Sequence, residues 1–337
     1  MTIAIIGAGA IGSVVASYLH KAGVDVTLVC KEEQLEALQT NGIHIKGVRG
    51  EETFKVPVVS QLDKEYNLVI FTVKSQDLER SYSHNCEFLE NSLVLSSQNG
   101  VQADNILSSH FERKEMFSSI VMFGSTYHAS GEITFNFEGD WIIGRPFQTI
   151  DPKTHEIAQL LGKAFNTVVT DHIMGMKWLK LFVNFNNCIP AMVGQSMQET
   201  FADMDMCRLS ILLLKEGLDI VTKGGAKLVS LPNFPAERIQ GLASMPMEQA
   251  AGIINKTLTT LSKEPLYGSI LQSIKRKRDS EIDFINGEVV WMAKQMQTTA
   301  PLNENVVDII HEIERSNQFL TFEEVKDKFE LHKIGVD

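Results

Sequence analysis

Basic residues are in the minority: 31 Lys and Arg stand against 42 Asp and Glu, a net charge of −11. So acidic a chain exerts no long-range pull on nucleic acid or an anionic membrane surface, and neither is expected as a partner. Cysteine is scarce. Cys30, Cys86, Cys188 and Cys207 are widely spaced and form no CxxC pair, which argues against a disulfide framework or zinc cluster and fits a reducing cytoplasm. No two histidines stand at metal-ligand i, i+4 spacing, and His311-Glu312 lacks the second histidine of HExxH, so no metal is expected. Long unbroken apolar runs are missing as well. The apolar stretch Met1 to Leu19 has no basic residue before it and is interrupted by Gly7, Gly9 and Gly12, so it reads as neither a secretory leader nor a membrane span.

What is present suits two packed cores. The chain has 337 residues, 44% of them hydrophobic, and single cores tend to stop growing at about 250–300 residues. Ile3-Ala4-Ile5-Ile6, Val26-Thr27-Leu28-Val29, Leu68-Val69-Ile70-Phe71 and Leu93-Val94-Leu95-Ser96 read as buried strands alternating with helical stretches, the pattern of a parallel doubly wound sheet. From Met116 to Gly144 the pattern turns β-rich with short turns, and antiparallel strands are expected to finish the domain. Val168-Val169-Thr170 reads as a last strand and Asp171 as the N-cap of a long helix. Helices are predicted near 172–191, 203–224, 247–260, 266–275, 282–297 and 302–317. The predicted fold is thus an α/β Rossmann-type dinucleotide-binding domain over 1–170, followed by an all-α substrate domain over 171–330.

Gly7-Ala8-Gly9-Ala10-Ile11-Gly12 has the GxGxxG spacing directly after the first strand and opens a helix. Gly7 permits the tight turn, Gly9 lets the backbone approach a pyrophosphate, and Gly12 lets helix and strand pack closely. The helix start offers its amides, including those of Ala10 and Ile11, and a partial positive charge to the phosphates. After the second strand, where an acidic residue would bind the ribose of NAD, stand Cys30 and Lys31. A cation there can pair with the extra 2′-phosphate of NADPH. A solvated surface lysine beside Glu32 is the open alternative.

In the predicted helix after Asp171, Lys180, Asn184, Asn187 and Cys188 fall at i, i+4, i+7 and i+8, which places them on about the same face. Standing alone, such a lysine would more often snorkel to solvent and the asparagines would bond a neighbouring loop.

They stand in an ordered set. The GxGxxG loop, Lys74 in Thr72-Val73-Lys74-Ser75, Asn99 in Gln98-Asn99-Gly100, Lys180 and Asn184 in Trp178-x-Lys180-Leu181-x-x-Asn184, Ser269-Ile270-Leu271-Gln272 and Ser280-Glu281-Ile282-Asp283-Phe284-Ile285-Asn286-Gly287 follow one another. In this set the chain resembles the ketopantoate reductase family over nearly its whole length. The resemblance implies hydride transfer from NADPH to the C2 carbonyl of a small 2-oxo acid in a cleft between the two domains. It implies Lys180 as general acid and Glu281 as its partner carboxylate, with Glu281 also near the cofactor. Asn184, Asn187, Ser269 and Asn99 would contact substrate. Lys74 and Asn99 would lie toward the nicotinamide. A homodimer and a place in pantothenate synthesis are further implications.

The chain departs from the family pattern where substrate would be recognised. The second asparagine of N-x-x-x-N is Cys188, with Asn187 one residue earlier and close enough in helical phase to substitute. Gln272-Ser273 replaces Gln-Asp, and Leu266 stands where some members carry asparagine. A missing hydrogen-bond partner changes substrate discrimination strongly, which keeps another branched or aromatic 2-oxo acid open. A non-catalytic NADPH-binding sensor is the alternative outside enzymes. Asp283 and Asn286 are expected to be structural, Lys275-Arg276-Lys277-Arg278 a solvated helix end, and the methionines of the helical half core packing.

Overall fold

A computed structural model describes residues 1–333. It divides into two compact units, the first from Met1 to Met174 and the second from Gly175 onward.

The first unit holds strands β1 (Ile3–Ile6), β2 (Val26–Val29), β3 (Ile43–Gly47), β4 (Gly50–Phe54), β5 (Val58–Val59), β6 (Leu68–Phe71), β7 (Leu93–Ser96), β8 (Met116–Val121), β9 (Gly124–Ala129), β10 (Glu132–Phe137), β11 (Trp141–Gly144) and β12 (Thr167–Val169). Its helices are α1 (Ala10–Lys21), α2 (Glu32–Asn41), α3 (Leu78–Asn85), α4 (Gln102–Leu107) and α5 (Pro152–Leu161). The larger sheet has the order β12-β11-β8-β7-β6-β1-β2-β5. The four apolar runs read as buried strands are all in it, as is the strand read at Val168-Val169-Thr170, and β1 pairs in parallel with both β2 and β6. Successive β1 side chains point to opposite faces, and both faces are covered. Ile3 and Ile5 enter the core that holds Val14, Val15 and Leu19 of α1, whereas Ala4 and Ile6 enter the core with Leu78 of α3 and Leu107 of α4. Continuous apolar strands are what a doubly covered parallel sheet requires.

The chain leaves β1 for β2 on one side and returns to β6 on the other. The carboxyl ends of β1 and β6 therefore flank a topological switch point, where open α/β sheets bind their ligands.

The segment 116–144 differs from the antiparallel finish expected. β11 does run antiparallel to β8, and β9 to β10, but β8 is parallel to β7. β9 and β10 leave for a second sheet of order β4-β3-β10-β9, in which β10 is parallel to β3. The reason lies upstream, in the hairpin of β3 and β4, which buries Ile43, Ile45 and Phe54 and offers β10 an edge. Tyr18 of α1 packs against Phe54 and Phe135 at ring-centroid distances of 5.3 and 5.7 Å. The Arg49 guanidinium lies 4.5 Å from the Tyr18 ring centroid and forms a two-pronged pair with Glu138 at 2.5 and 2.9 Å. The small sheet is thereby fixed to the helix that starts at the glycine loop.

The second unit is helical. Running into it is α6 (Ile173–Asn184), followed by α7 (Cys188–Val193), α8 (Met197–Phe201), α9 (Met204–Lys223), α10 (Ala236–Ser244), α11 (Met247–Thr259), α12 (Ser269–Lys275), α13 (Asn286–Gln295), α14 (Pro301–Ser316) and α15 (Phe322–Lys328). The helix expected over 172–191 is broken by a 3₁₀ turn at Phe185–Asn187. Pro190 explains the break, because it has no N–H for the carbonyl of Asn186 and its ring would collide with that carbonyl in a regular helix. The helix expected to start near 282 opens with another 3₁₀ turn, Ile282–Phe284. Asp283 meets His311 at 3.1 Å and buried Asn286 donates to Asn303 at 2.9 Å, both structural contacts. Lys275, Arg276, Lys277 and Arg278 are exposed at the end of α12. Among the described residues no helix is long and apolar enough to cross a membrane, and no cluster of His, Cys, Asp and Glu could hold a metal.

Glu216 of α9 ties this unit together. It accepts from the Leu302 and Asn303 amides at 3.0 and 2.8 Å and from Asn303 Nδ2 at 2.9 Å, so it caps α14 from a neighbouring helix. Glu216→Ala leaves the donors of fully buried Asn303 without that acceptor. Its expected cost is about 2–3 kcal/mol, read as a lowered thermal midpoint, with Glu216→Gln costing less because one acceptor remains.

Candidate active site

The glycine loop is built by close approach. Gly7 has φ +122°, and a Cβ there would lie 2.8 Å from the Val73 amide nitrogen and 3.0 Å from Thr72 Oγ1. A Cβ on Gly12 would collide with the Gly7 carbonyl oxygen and with Thr72 Oγ1. Thr72 also donates to the Ile6 and Gly7 carbonyls at 3.1 and 3.0 Å, locking the end of β6 to the loop after β1. Gly9 is different. A Cβ there would meet nothing within 4 Å, so its lack of side chain answers to no packing need inside the protein. Gly9 immediately precedes α1, whose first amides have no intrahelical acceptors and carry the positive end of the helix dipole. Of the remaining loop residues, Ala10 is half-buried and Ile11 packs on the core.

Lys31 is exposed at the start of α2. Lys74 is partly buried in the loop after β6, and Asn99 lies in the loop after β7. These two loops are tied together. Ser75 Oγ donates to the Asn99 carbonyl at 3.3 Å, and Gln98 Nε2 donates to the Phe71 and Val73 carbonyls at 2.8 and 3.0 Å. The first unit thus brings together Gly7, Gly9, Gly12, Lys74 and Asn99 at the carboxyl ends of β1, β6 and β7. Thr72 and Gln98 do much of this holding and were missed in the sequence, although both adjoin motif residues.

In the second unit Lys180 and Asn184 lie one turn apart on α6 and are both partly exposed. Burial around the Lys180 ammonium lowers its pKa to about 8; the Glu281 carboxylate opposes that shift and Lys177 adds to it. Glu281 occupies the residue before the 3₁₀ turn, where Ser280 Oγ accepts from the Ile282 amide at 3.2 Å and the Ser280 amide donates to Glu314 at 2.7 Å. Asn187 packs against Gly268: a Cβ there would lie 2.6 Å from Asn187 Oδ1, with exposed Ser269 next in the chain. Lys177, 3% exposed, was not singled out in the sequence.

Cys188 corrects the sequence reading. It was placed on the face of Lys180 and Asn184, but it is fully buried and its thiol donates to the Phe185 carbonyl at 3.0 Å. Burial pushes its pKa up to about 12. The 3₁₀ turn advances about 120° per residue where an α-helix advances about 100°. Three such steps keep Asn187 roughly in phase with Asn184 and carry Cys188 roughly 140° from Lys180, into the core.

The two glycines of the loop with different surroundings give a direct check. Gly9→Ala is expected to fold with an unchanged thermal midpoint yet to bind a dinucleotide at least about tenfold more weakly, since the methyl fills the space a phosphate would use. Gly12→Ala is expected to lower the midpoint as well, because helix and strand must separate. A dinucleotide titration alongside a melting curve distinguishes them.

Comparison with known proteins bears on family and fold. The model of the family "Ketopantoate reductase PanE/ApbA" matches residues 3–146, and that of its C-terminal part matches residues 172–314. The 2-dehydropantoate 2-reductase of Pyrococcus horikoshii is 28% identical over 306 residues, 90% of this chain and 94% of the relative. That of Archaeoglobus fulgidus is 24% identical over 314 residues, 93% and 97%. Among solved structures, a PanE/ApbA family ketopantoate reductase from Ralstonia eutropha has a TM-score of 0.79 at 23% identity, covering 94% of this chain and 100% of that one. D-mandelate dehydrogenase with NADH and anilino(oxo)acetate has a TM-score of 0.80 at 20% identity, covering 94% and 99%. These structures share the fold, a Rossmann-type α/β unit followed by a helical one. The family matches cover most of both units, and the chain belongs to the ketopantoate reductase family, as an oxidoreductase acting on a CH–OH group.

Proposed function

We propose that the protein uses NADPH to reduce a 2-oxo acid to the 2-hydroxy acid, with 2-dehydropantoate the first substrate to test and pantothenate synthesis in the cytoplasm the setting. The observation that carries this reading is Lys180, a lysine with its pKa brought down to about 8 and a carboxylate, Glu281, acting on its charge. An acid catalyst works best when its pKa lies near the working pH. A sensor that only binds has no use for that arrangement.

The first unit fits a dinucleotide. Gly9 leaves the space a Cβ would fill, and the first-turn amides of α1, including those of Ala10 and Ile11, would hold the pyrophosphate. Lys31 would pair with the 2′-phosphate, and Lys74 and Asn99 would lie toward the nicotinamide. Bound, the nicotinamide supplies a hydride to C2 of the oxo acid. The helical unit supplies the rest. The Lys180 ammonium polarises the C2 oxygen and stabilises the negative charge that grows on it, then gives that oxygen a proton. Glu281 keeps Lys180 protonated up to the working pH. Asn184, Asn187 and Ser269 would hydrogen-bond the carboxylate and hydroxyl of the substrate.

A second substrate reading has its own observation. Leu266 and Tyr267, immediately before Gly268 and Ser269, are 36% and 41% exposed and leave adjoining apolar surface there. Apolar surface beside Ser269 favours a branched or aromatic 2-oxo acid. A panel of such acids, followed by NADPH absorbance, ranks the two readings. Failure to reduce any of them would end the 2-oxo acid proposal.

Lys180→Ala is expected to lower kcat by about 10²–10⁴ with the fold intact by circular dichroism. The pH dependence has a definite sign. Reduction needs the protonated lysine, so kcat/KM should be level below pH 8 and fall above about 8, while oxidation of the 2-hydroxy acid should rise through the same window. In Glu281→Gln the opposing carboxylate charge is gone, and the alkaline limb should move to lower pH. Lys31→Ala should weaken NADPH at least about tenfold and leave NADH nearly unchanged; a preference of the wild type for NADH would remove the role given to Lys31.

A further inference from the structure

The carboxamide of Gln34, in the first turn of α2, touches three separate parts of the first unit. Its Oε1 accepts from the Lys31 backbone amide at 3.2 Å. Its Nε2 donates to the Ala8 carbonyl at 3.3 Å and to Tyr127 Oη at 3.1 Å. The bond to the Lys31 amide is one that a helix-capping residue makes. The two made by Nε2 are not, since they reach outside α2 altogether. Ala8 stands between Gly7 and Gly9 in the glycine loop, and Tyr127 projects from β9 of the small sheet, where its hydroxyl also meets Ser130 Oγ at 3.3 Å.

The two segments joined by Gln34 would engage different phosphates of one ligand. The glycine loop receives the pyrophosphate, and Lys31 stands where the adenosine 2′ position falls. A ligand with charge at both places gains from both only if they are held at a fixed separation, because ordering one of them at the moment of binding costs affinity. A carboxamide engaged at both ends has little rotational freedom, and Tyr127 further restrains it.

We propose that Gln34, braced by Tyr127, is a positioning residue for cofactor choice: it sets the backbone of Lys31 against the glycine loop so that the 2′-phosphate and the pyrophosphate are engaged together. The inference rests on the NADPH reading above. Gln34 itself touches neither the reacting atoms nor the transferred hydride.

The test is a double-mutant cycle on cofactor binding. Dissociation constants for NADPH and NADH are measured by nicotinamide fluorescence in the wild type, Gln34→Met, Lys31→Ala and the double variant, with melting curves for each. Tyr127→Phe is measured in parallel. Gln34→Met keeps the volume and removes all three side-chain hydrogen bonds. It is expected to weaken NADPH about tenfold and NADH by less than about threefold, with kcat at saturating NADPH within about twofold of wild type. Tyr127→Phe should shift the ratio in the same direction by a smaller factor. With Lys31 already replaced, Gln34→Met should no longer change the NADPH-to-NADH ratio. Equal weakening of both nucleotides, or an unchanged ratio in Gln34→Met, would overturn the inference while leaving the NADPH reading in place. A wild type that binds NADH more tightly than NADPH would overturn that reading and the inference with it.

Discussion

The helical unit depends on one electrostatic constraint: an ammonium must be kept charged where burial opposes the charge. Lys180 pays for its place on α6 with lost hydration, and Lys177 adds a second opposing charge. The Glu281 carboxylate acts in the other direction. The position of Glu281 is therefore held firmly, by the turn in which Ser280 accepts from the Ile282 amide and donates its own amide to Glu314 of α14. The start of α14 is fixed in turn by Glu216 of α9. The segment that carries Glu281 is thus tied by polar contacts to the packing of helices far from it in sequence.

The first unit follows a different logic, in which steric closeness replaces charge. Gly7 and Gly12 are required because backbone and Thr72 occupy the space a side chain would need. Around Gly9 no atom of the chain lies within 4 Å of where a Cβ would stand. That contrast separates glycines that close packing requires from one that it does not, and it could not be drawn from the spacing of the motif alone.

Much of the architecture was legible in the residues. β1, β2, β6 and β7 coincide with the apolar runs read from the sequence, because strands buried on both faces leave a plain signal. The second sheet was not foreseen. Its members β3 and β4 are half exposed, and the parallel pairing of β3 with β10 joins segments far apart in the chain, which no local pattern reveals. Helices α8 and α15 went unread although Ser196 with Glu199 and Thr321 with Glu324 are capping boxes written in the sequence. Cys188 was misplaced for a readable reason: Pro190 shifts the helical phase just upstream, so the i+8 spacing no longer describes one face. Gln34 and Tyr127 carried no signal, because their relation exists only once β9 has left the main sheet. The comparisons bear on family and fold, whereas the roles given to Lys180, Glu281 and the substrate-binding residues rest on the site itself.

The central claim is that the protein lowers the proton affinity of one lysine and thereby makes it an acid suited to neutral pH. The most direct measurement is a nuclear magnetic resonance titration of the Lys180 side-chain nitrogen in isotopically labelled protein, assigned with Lys180→Ala. The account predicts a midpoint near pH 8. A midpoint at the ordinary lysine value of 10.5 would contradict it.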